Sequence, residues 1–128
     1  MEPDCPFCSP DPKLLFHESE LVVGLWDRYP VSPGHALLIP RRHIAGWFEA
    51  SQEEHQALVT ALEAAKREIE KTHGPDGYNI GVNSGEAAGQ TVLHLHLHVI
   101  PRYTGDEEDP RGGIRKLFPD RAKYWEQP

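Results

Sequence analysis

Residues 89–102 read Gly-Gln-Thr-Val-Leu-His-Leu-His-Leu-His-Val-Ile-Pro-Arg, which puts three imidazoles at strict two-residue spacing: His94, His96 and His98. Leu95, Leu97 and Val99 fill the alternate positions. Alternation of this kind predicts a strand, because successive side chains of a strand point to opposite faces. The leucine and valine face is then core, and the histidine face lines a pocket or water. Pro101 has no N–H to give a ladder, so the strand is expected to end near Ile100. Three histidines on one face allow three chemistries. They are a solvated polar face, a set of metal ligands, or a nucleophile with neighbours that handle protons and charge. The preceding loop favours the last. Gly85 and Gly89 let backbone approach a phosphate closely, and Gln90 offers a neutral donor.

A second candidate lies at the start of the chain, in Cys5-Pro6-Phe7-Cys8. A Cys-x2-Cys pair is a redox motif, half of a zinc site, or two unrelated thiols. No strand precedes it, which argues against a thioredoxin-like motif. Tetrahedral zinc needs two further ligands, and histidines can supply them.

His94-Leu95-His96-Leu97-His98-Val99-Ile100 resembles the signature of the histidine triad (HIT) family, three histidines each followed by an apolar residue. The Ala88-Gly89-Gln90-Thr91-Val92 lead and Pro101-Arg102 are similar to the fragile-histidine-triad branch, which hydrolyses dinucleoside polyphosphates. The likeness reaches back through Pro33-Gly34-His35 to Asp27. It implies an α+β fold, an antiparallel sheet of about five strands carrying one long helix, usually as a two-fold homodimer.

The resemblance also assigns roles. His96 is the nucleophile on the α-phosphorus, and His98 meets phosphate and the leaving group. His94 supplies a backbone carbonyl to His96, and His35 supports the triad. Asp27 takes the ribose hydroxyls, Asn83 and Gln90 meet the phosphoryl oxygens, and Leu25 and Phe7 wall the base. Zinc-containing members of the family, and the related galactose-1-phosphate uridylyltransferases, pair a Cys-x2-Cys with two histidines. By that likeness the zinc ligands are Cys5, Cys8, His43 and His94, with the zinc structural and magnesium allowed alongside the substrate. Four alternatives stay open. They are a phosphoramidase, a uridylyltransferase (against which His98 counts), a nucleotide-binding protein with incidental hydrolysis, and a metalloenzyme using the triad as ligands.

The elements that must position these residues are legible in order. Leu14–His17 and Leu21–Trp26 read as strands around a Glu18-Ser19-Glu20 turn, and His35–Pro40 as a third. Ser51 and Glu54 form a capping box ahead of Leu58, Leu62, Ala65 and Ile69, an apolar helical stripe that Gly74-Pro75 ends. Glu63 and Arg67 are expected to pair on its surface. Arg41-Arg42 reads as a solvated basic pair. Gly77–Asn83 is the next strand, with Tyr78, Ile80 and Val82 on one face. Beyond Arg102 an acidic loop leads into a basic tail with Gly112, Gly113 and Pro119, too interrupted for a long regular element. The tail is expected to pack Leu117, Phe118, Tyr124 and Trp125 as a surface segment.

At 128 residues the chain is read as one domain, with 1–10 as the zinc-binding segment and 103–128 as a variable tail. A formal charge of −7 argues against a nucleic-acid polymer as partner. A small anionic nucleotide is still allowed. No apolar run has membrane-spanning length and the start lacks a signal-peptide pattern, which together predict a cytoplasmic protein.

Overall fold

The computed structural model describes residues 4–126. The first three residues, part of the chain start read above, and the last two of the tail lie outside that range.

Five strands form one antiparallel sheet in the order β1-β2-β3-β5-β4. They are β1 (Leu15–Glu18), β2 (Val22–Trp26), β3 (Ala36–Pro40), β4 (Gly77–Val82) and β5 (Leu97–Arg102). One helix, α1 (Gln52–Thr72), lies between β3 and β4 in the chain. Its start follows from the predicted capping box. The Ser51 hydroxyl accepts from Glu54 N–H at 3.1 Å, and Glu54 accepts from Ser51 N–H at 2.9 Å.

Alternation along the strands sorts the core into two layers. Val22, Ala36, Leu38, Leu97 and Val99 pack against Leu58, Ala61, Ala65 and Ile69 of α1. Leu95 joins this layer although it precedes the strand. Val23, Leu25, Leu37 and Ile39 form the opposite layer, under Phe7, Leu14 and Leu15. β2 and β3 are therefore apolar on both faces, as strands covered on both sides must be.

Several expectations are corrected. Regular β5 begins at Leu97, so His94 and His96 lie before it, although the alternation of faces already operates there. β5 also runs through Pro101 to Arg102 rather than ending near Ile100. The Pro101 carbonyl accepts from Ser32 Oγ, so its missing N–H faces the side where β3 has already ended opposite Val99. No bond to β4 is lost. Arg41 and Arg42 are exposed as expected, but Arg42 also pairs with the buried Glu54 at 2.7 Å, a partner its local sequence does not name. Glu63 and Arg67 form no ion pair among the described residues. Lys66–Glu70 and Lys71–Glu68 pair along α1 instead. The tail folds into three short 3₁₀ turns. Leu117, Phe118 and Tyr124 stay exposed, so of the four side chains expected to pack only Trp125 does, half-buried against Gly112 and under Arg111. Among the described residues no helix is long and apolar enough to cross a membrane.

Candidate active site and metal centre

Strand register builds the site. Leu15 pairs with Leu25, Leu25 with Leu37, Leu37 with His98, and His98 with Gly81, one row across all five strands. This row lies on the face away from α1. Residues two positions along each strand share that face. They bring His35 beside Leu37, Asp27 beyond Leu25, His96 before His98 and Asn83 beyond Gly81. The Asp27 N–H donates to the His35 carbonyl at 2.9 Å, extending the β2–β3 pairing one step.

A cavity of about 1070 Å³ opens over this face, at the upper end of the size range for small-molecule sites. Phe7, Leu14, Leu25, Val31 and Leu37 line an apolar part, and His96, His98, Asn83 and Thr91 bring polar groups. Asp27, His35, Leu25 and Phe7, all expected site residues, line it too. Trp26 does not; it stacks on Phe16, packed against the helix-side core.

Two expected residues lie off the cavity. His94 is fully buried. Gln90 is spent on the loop: its amide donates to the Ala45 and Val92 carbonyls, at 2.7 and 3.0 Å, and its oxygen accepts from Gly85 N–H. Its role is to fold the glycine loop, so that Gly89, Thr91 and Val92 form the rim. Thr91 sits beside Gln90 in the sequence, and its hydroxyl in a phosphate-loop context was the available signal. Leu37 left no local signal, because its place beside His98 is a matter of register.

Hydrogen bonds fix every tautomer in the site. The His96 Nδ1 donates to the His94 carbonyl at 2.8 Å, which leaves the lone pair on Nε2. Val31 N–H donates to His35 Nδ1 at 3.2 Å, so the proton of His35 is on Nε2. That nitrogen stands 2.9 Å from His98 Nδ1 and donates to it, which leaves the proton of His98 on Nε2. The site thus presents a nucleophilic nitrogen on His96 and an N–H donor on His98, with ring centroids 5.1 Å apart. Asp27 stands 3.4 Å from His35 Nε2 and accepts from Tyr29 N–H with its other oxygen. Burial is the first cause that holds His98 down to about 4; the neighbouring His96 and His35 add to it, and Asp27 opposes it. Burial likewise lowers His35, against the pull of Asp27. Both rings are therefore neutral at ordinary pH.

Two groups carry metal-ligand side chains in close array: Cys5, Cys8, His43 and His94, and Asp27, His35 and His98. Geometry separates them. In the His35–His98 pair the nitrogens are 2.9 Å and the centroids 5.2 Å apart. The centroid distance is the nitrogen separation plus one ring radius at each end, so the nitrogens point at each other as hydrogen-bond partners. In the His43–His94 pair the nitrogens are further apart, 3.2 Å, yet the centroids are closer, 5.0 Å. Those rings tilt toward a common third point. Sulfur–nitrogen separations around that point are 3.1, 3.4 and 3.6 Å. Tetrahedral zinc bonds set edges of about 3.3 Å for N···N and about 3.6 Å for S···N. The donor set fits a closed structural zinc site. His94 Nε2 donates to the Pro40 carbonyl at 2.8 Å, fixing the ring with Nδ1 toward the metal. The Arg42–Glu54 pair fastens the loop bearing His43 to the start of α1.

The chain was compared with known proteins. A HIT domain matches residues 10–105. An uncharacterised HIT-like protein of Saccharolobus solfataricus is 32% identical over 124 residues, 94% of this chain and 89% of the relative. The asymmetrical bis(5′-nucleosyl)-tetraphosphatase of Schizosaccharomyces pombe is 35% identical over 92 residues, 72% of this chain and 50% of that protein. Among solved structures, a zinc-bound histidine triad family protein of Mycobacterium smegmatis superposes with a TM-score of 0.73 at 33% identity, covering 83% of this chain and 80% of that one. The chain belongs to the HIT domain family.

Proposed function

We propose that this chain hydrolyses dinucleoside polyphosphates, diadenosine tetraphosphate among them, at the α-phosphate through a covalent nucleotidyl-His96. The observation that carries this reading is the bond from His96 Nδ1 to the His94 carbonyl, which aims the Nε2 lone pair of a ring on the cavity wall. His96 Nε2 attacks the α-phosphorus, and the bond from phosphorus to the bridging oxygen breaks. The leaving phosphate oxygen departs with the electron pair as an anion and accepts the hydrogen bond of His98 Nε2–H, which keeps its proton. Water then attacks the same phosphorus and passes its proton to solvent; the phosphorus–nitrogen bond breaks with its electron pair returning to His96 Nε2, which releases the nucleoside monophosphate and restores His96. Such splitting replaces one hard displacement with two easier ones. Asn83 and Thr91 donate to the phosphoryl oxygens, Asp27 meets the ribose, and Phe7 and Leu25 hold the base. Zinc, when bound, supplies no open coordination position and acts by fixing the backbone at His94.

One observation favours the phosphoramidate reading. Arg28 is the one Lys or Arg lining the cavity among the described residues, and it is paired with Asp11 at 3.5 Å. A tetraphosphate would find little positive charge there, whereas a nucleoside phosphoramidate carries a single phosphorus.

The same reading includes a homodimer and a cytoplasmic setting, where zinc-bound thiolates stay reduced. The edge strand β4 leaves Ile80 exposed, and α1 leaves Val59 exposed, which suits pairing with a second copy. The experiment is product analysis with diadenosine tetraphosphate and adenosine 5′-phosphoramidate in parallel. AMP from the tetraphosphate supports the first reading, and AMP from the phosphoramidate alone supports the second. AMP binding with no product from either leaves a nucleotide-binding protein.

A further inference from the structure

Residues 5–10 form one wall of the cavity: Pro6, Phe7, Ser9 and Pro10 all line it. Among the described residues this segment makes no hydrogen bond to the remainder of the chain except through the sulfurs of Cys5 and Cys8. The bond from Cys8 N–H to the Cys5 carbonyl closes the turn on itself. Phe7, between the two cysteines, packs its ring 4.9 Å from that of His96 and 6.1 Å from that of His94. The wall is therefore fastened by the metal cluster at one end and rests on the nucleophile through Phe7.

We propose that zinc at this cluster and nucleotide in the cavity are thermodynamically linked through Phe7. This rests on the reading of the cavity as a nucleotide site. Zinc orders the Cys5–Cys8 turn and sets Phe7 as a preformed surface for the base. Nucleotide stacked on Phe7 in turn holds the turn closed over the metal. Coupling between two sites is reciprocal, so zinc must raise nucleotide affinity by the factor by which nucleotide raises zinc affinity. The cluster is then more than a staple, since metal supply would set the fraction of protein able to bind nucleotide.

The experiment measures the equilibrium transfer of zinc from the intact protein to the chromogenic chelator 4-(2-pyridylazo)resorcinol, with and without saturating AMP. Equilibrium dialysis with labelled AMP runs on zinc-loaded and zinc-stripped protein. AMP is expected to lower zinc transfer at equilibrium, and stripping to weaken AMP binding, by the same factor, on the order of tenfold. Phe7→Ala is expected to keep one zinc per chain and lose the protection by AMP; Phe7→Leu keeps an apolar side chain and part of the protection. Bound AMP with unchanged zinc transfer would overturn the linkage alone. Absence of AMP binding to the zinc-loaded protein would overturn the nucleotide reading and the linkage with it. Full protection in Phe7→Ala would overturn the role of Phe7.

Discussion

His94 and His96 divide two tasks between one backbone carbonyl and two rings. The ring of His94 faces the metal cluster with Nδ1 and the Pro40 carbonyl with Nε2. Its own carbonyl, 2.8 Å from His96 Nδ1, fixes the tautomer of the next ring in the triad. In the proposed mechanism the first triad histidine is thus a structural ligand, and the second is the nucleophile it aims.

Replacing His96 tests that division. His96→Ala is expected to lower turnover by about 10⁴-fold or more, as loss of a covalent nucleophile does in other enzymes. AMP binding should remain within a few-fold of the parent, measured by dialysis. Retained turnover would remove His96 from the mechanism.

The metal cluster makes a second prediction. Metal analysis should give one zinc per chain, lost or weakened in Cys5→Ser. Zinc removal should lower Tm by at least about 5 °C, read by calorimetry, because ligand bonds absent from the unfolded chain stabilise the folded one. A folded protein that contains no zinc under any metal supply would contradict the site.

His35 is a positioning residue, and its role separates two variants. His35→Gln keeps an N–H to donate to His98 Nδ1, so kcat is expected to fall only about tenfold, whereas His35→Leu should fall about 10²–10³-fold, within the range for loss of one hydrogen bond to a developing charge. KM should move little in either. Equal losses would show that His35 acts by bulk alone.

Acid should destabilise the fold through His35 and His98. Burial lowers both, so between pH 6.5, the ordinary value of unfolded histidine, and pH 4 the unfolded chain binds protons that the folded chain refuses. Stability is thus complete above pH 6.5 and falls as pH drops toward 4. Thermal melts from pH 7 to pH 4.5 should show a decline, less steep in His98→Gln.

Glu54 adds a test of how the helix holds the metal loop. The Arg42 side chain is the first cause that brings Glu54 down to about 2. Its contribution is full above the ordinary carboxyl value and is lost as pH falls through about 2. Glu54→Ala removes both the cap and the partner of Arg42, whose exposed charge water can take up, and is expected to cost about 1–2 kcal/mol in chemical denaturation. It should also speed zinc release, since Arg42 adjoins His43.

The periodic signals survived folding best. The alternation of Leu95, Leu97 and Val99 with the histidines correctly put the apolar set in the core, and the Ser51–Glu54 box started α1 where expected. The Cys-x2-Cys spacing was half of a real donor set, but only the fold brings His43 and His94 to it. What was illegible was long-range partnership. The exposed Arg42 showed no partner because Glu54 lies twelve positions on, and Gln90 looked like a free donor because Ala45 lies 45 positions back. The Pro101 reading failed because the side of a strand on which an N–H is missed depends on a neighbour the local sequence does not name. The link from Val31 through His35 to His98 was equally hidden, since it joins the β2–β3 connection to β5 by register.

The central claim is a covalent nucleotidyl-His96, and the most direct measurement is the stereochemical course at the α-phosphorus. Turnover of an α-phosphorothioate substrate, chiral at phosphorus, in isotopically labelled water would report it. Two in-line displacements, first by His96 and then by water, predict net retention. Net inversion would mean that water attacks the substrate directly, and would contradict the account.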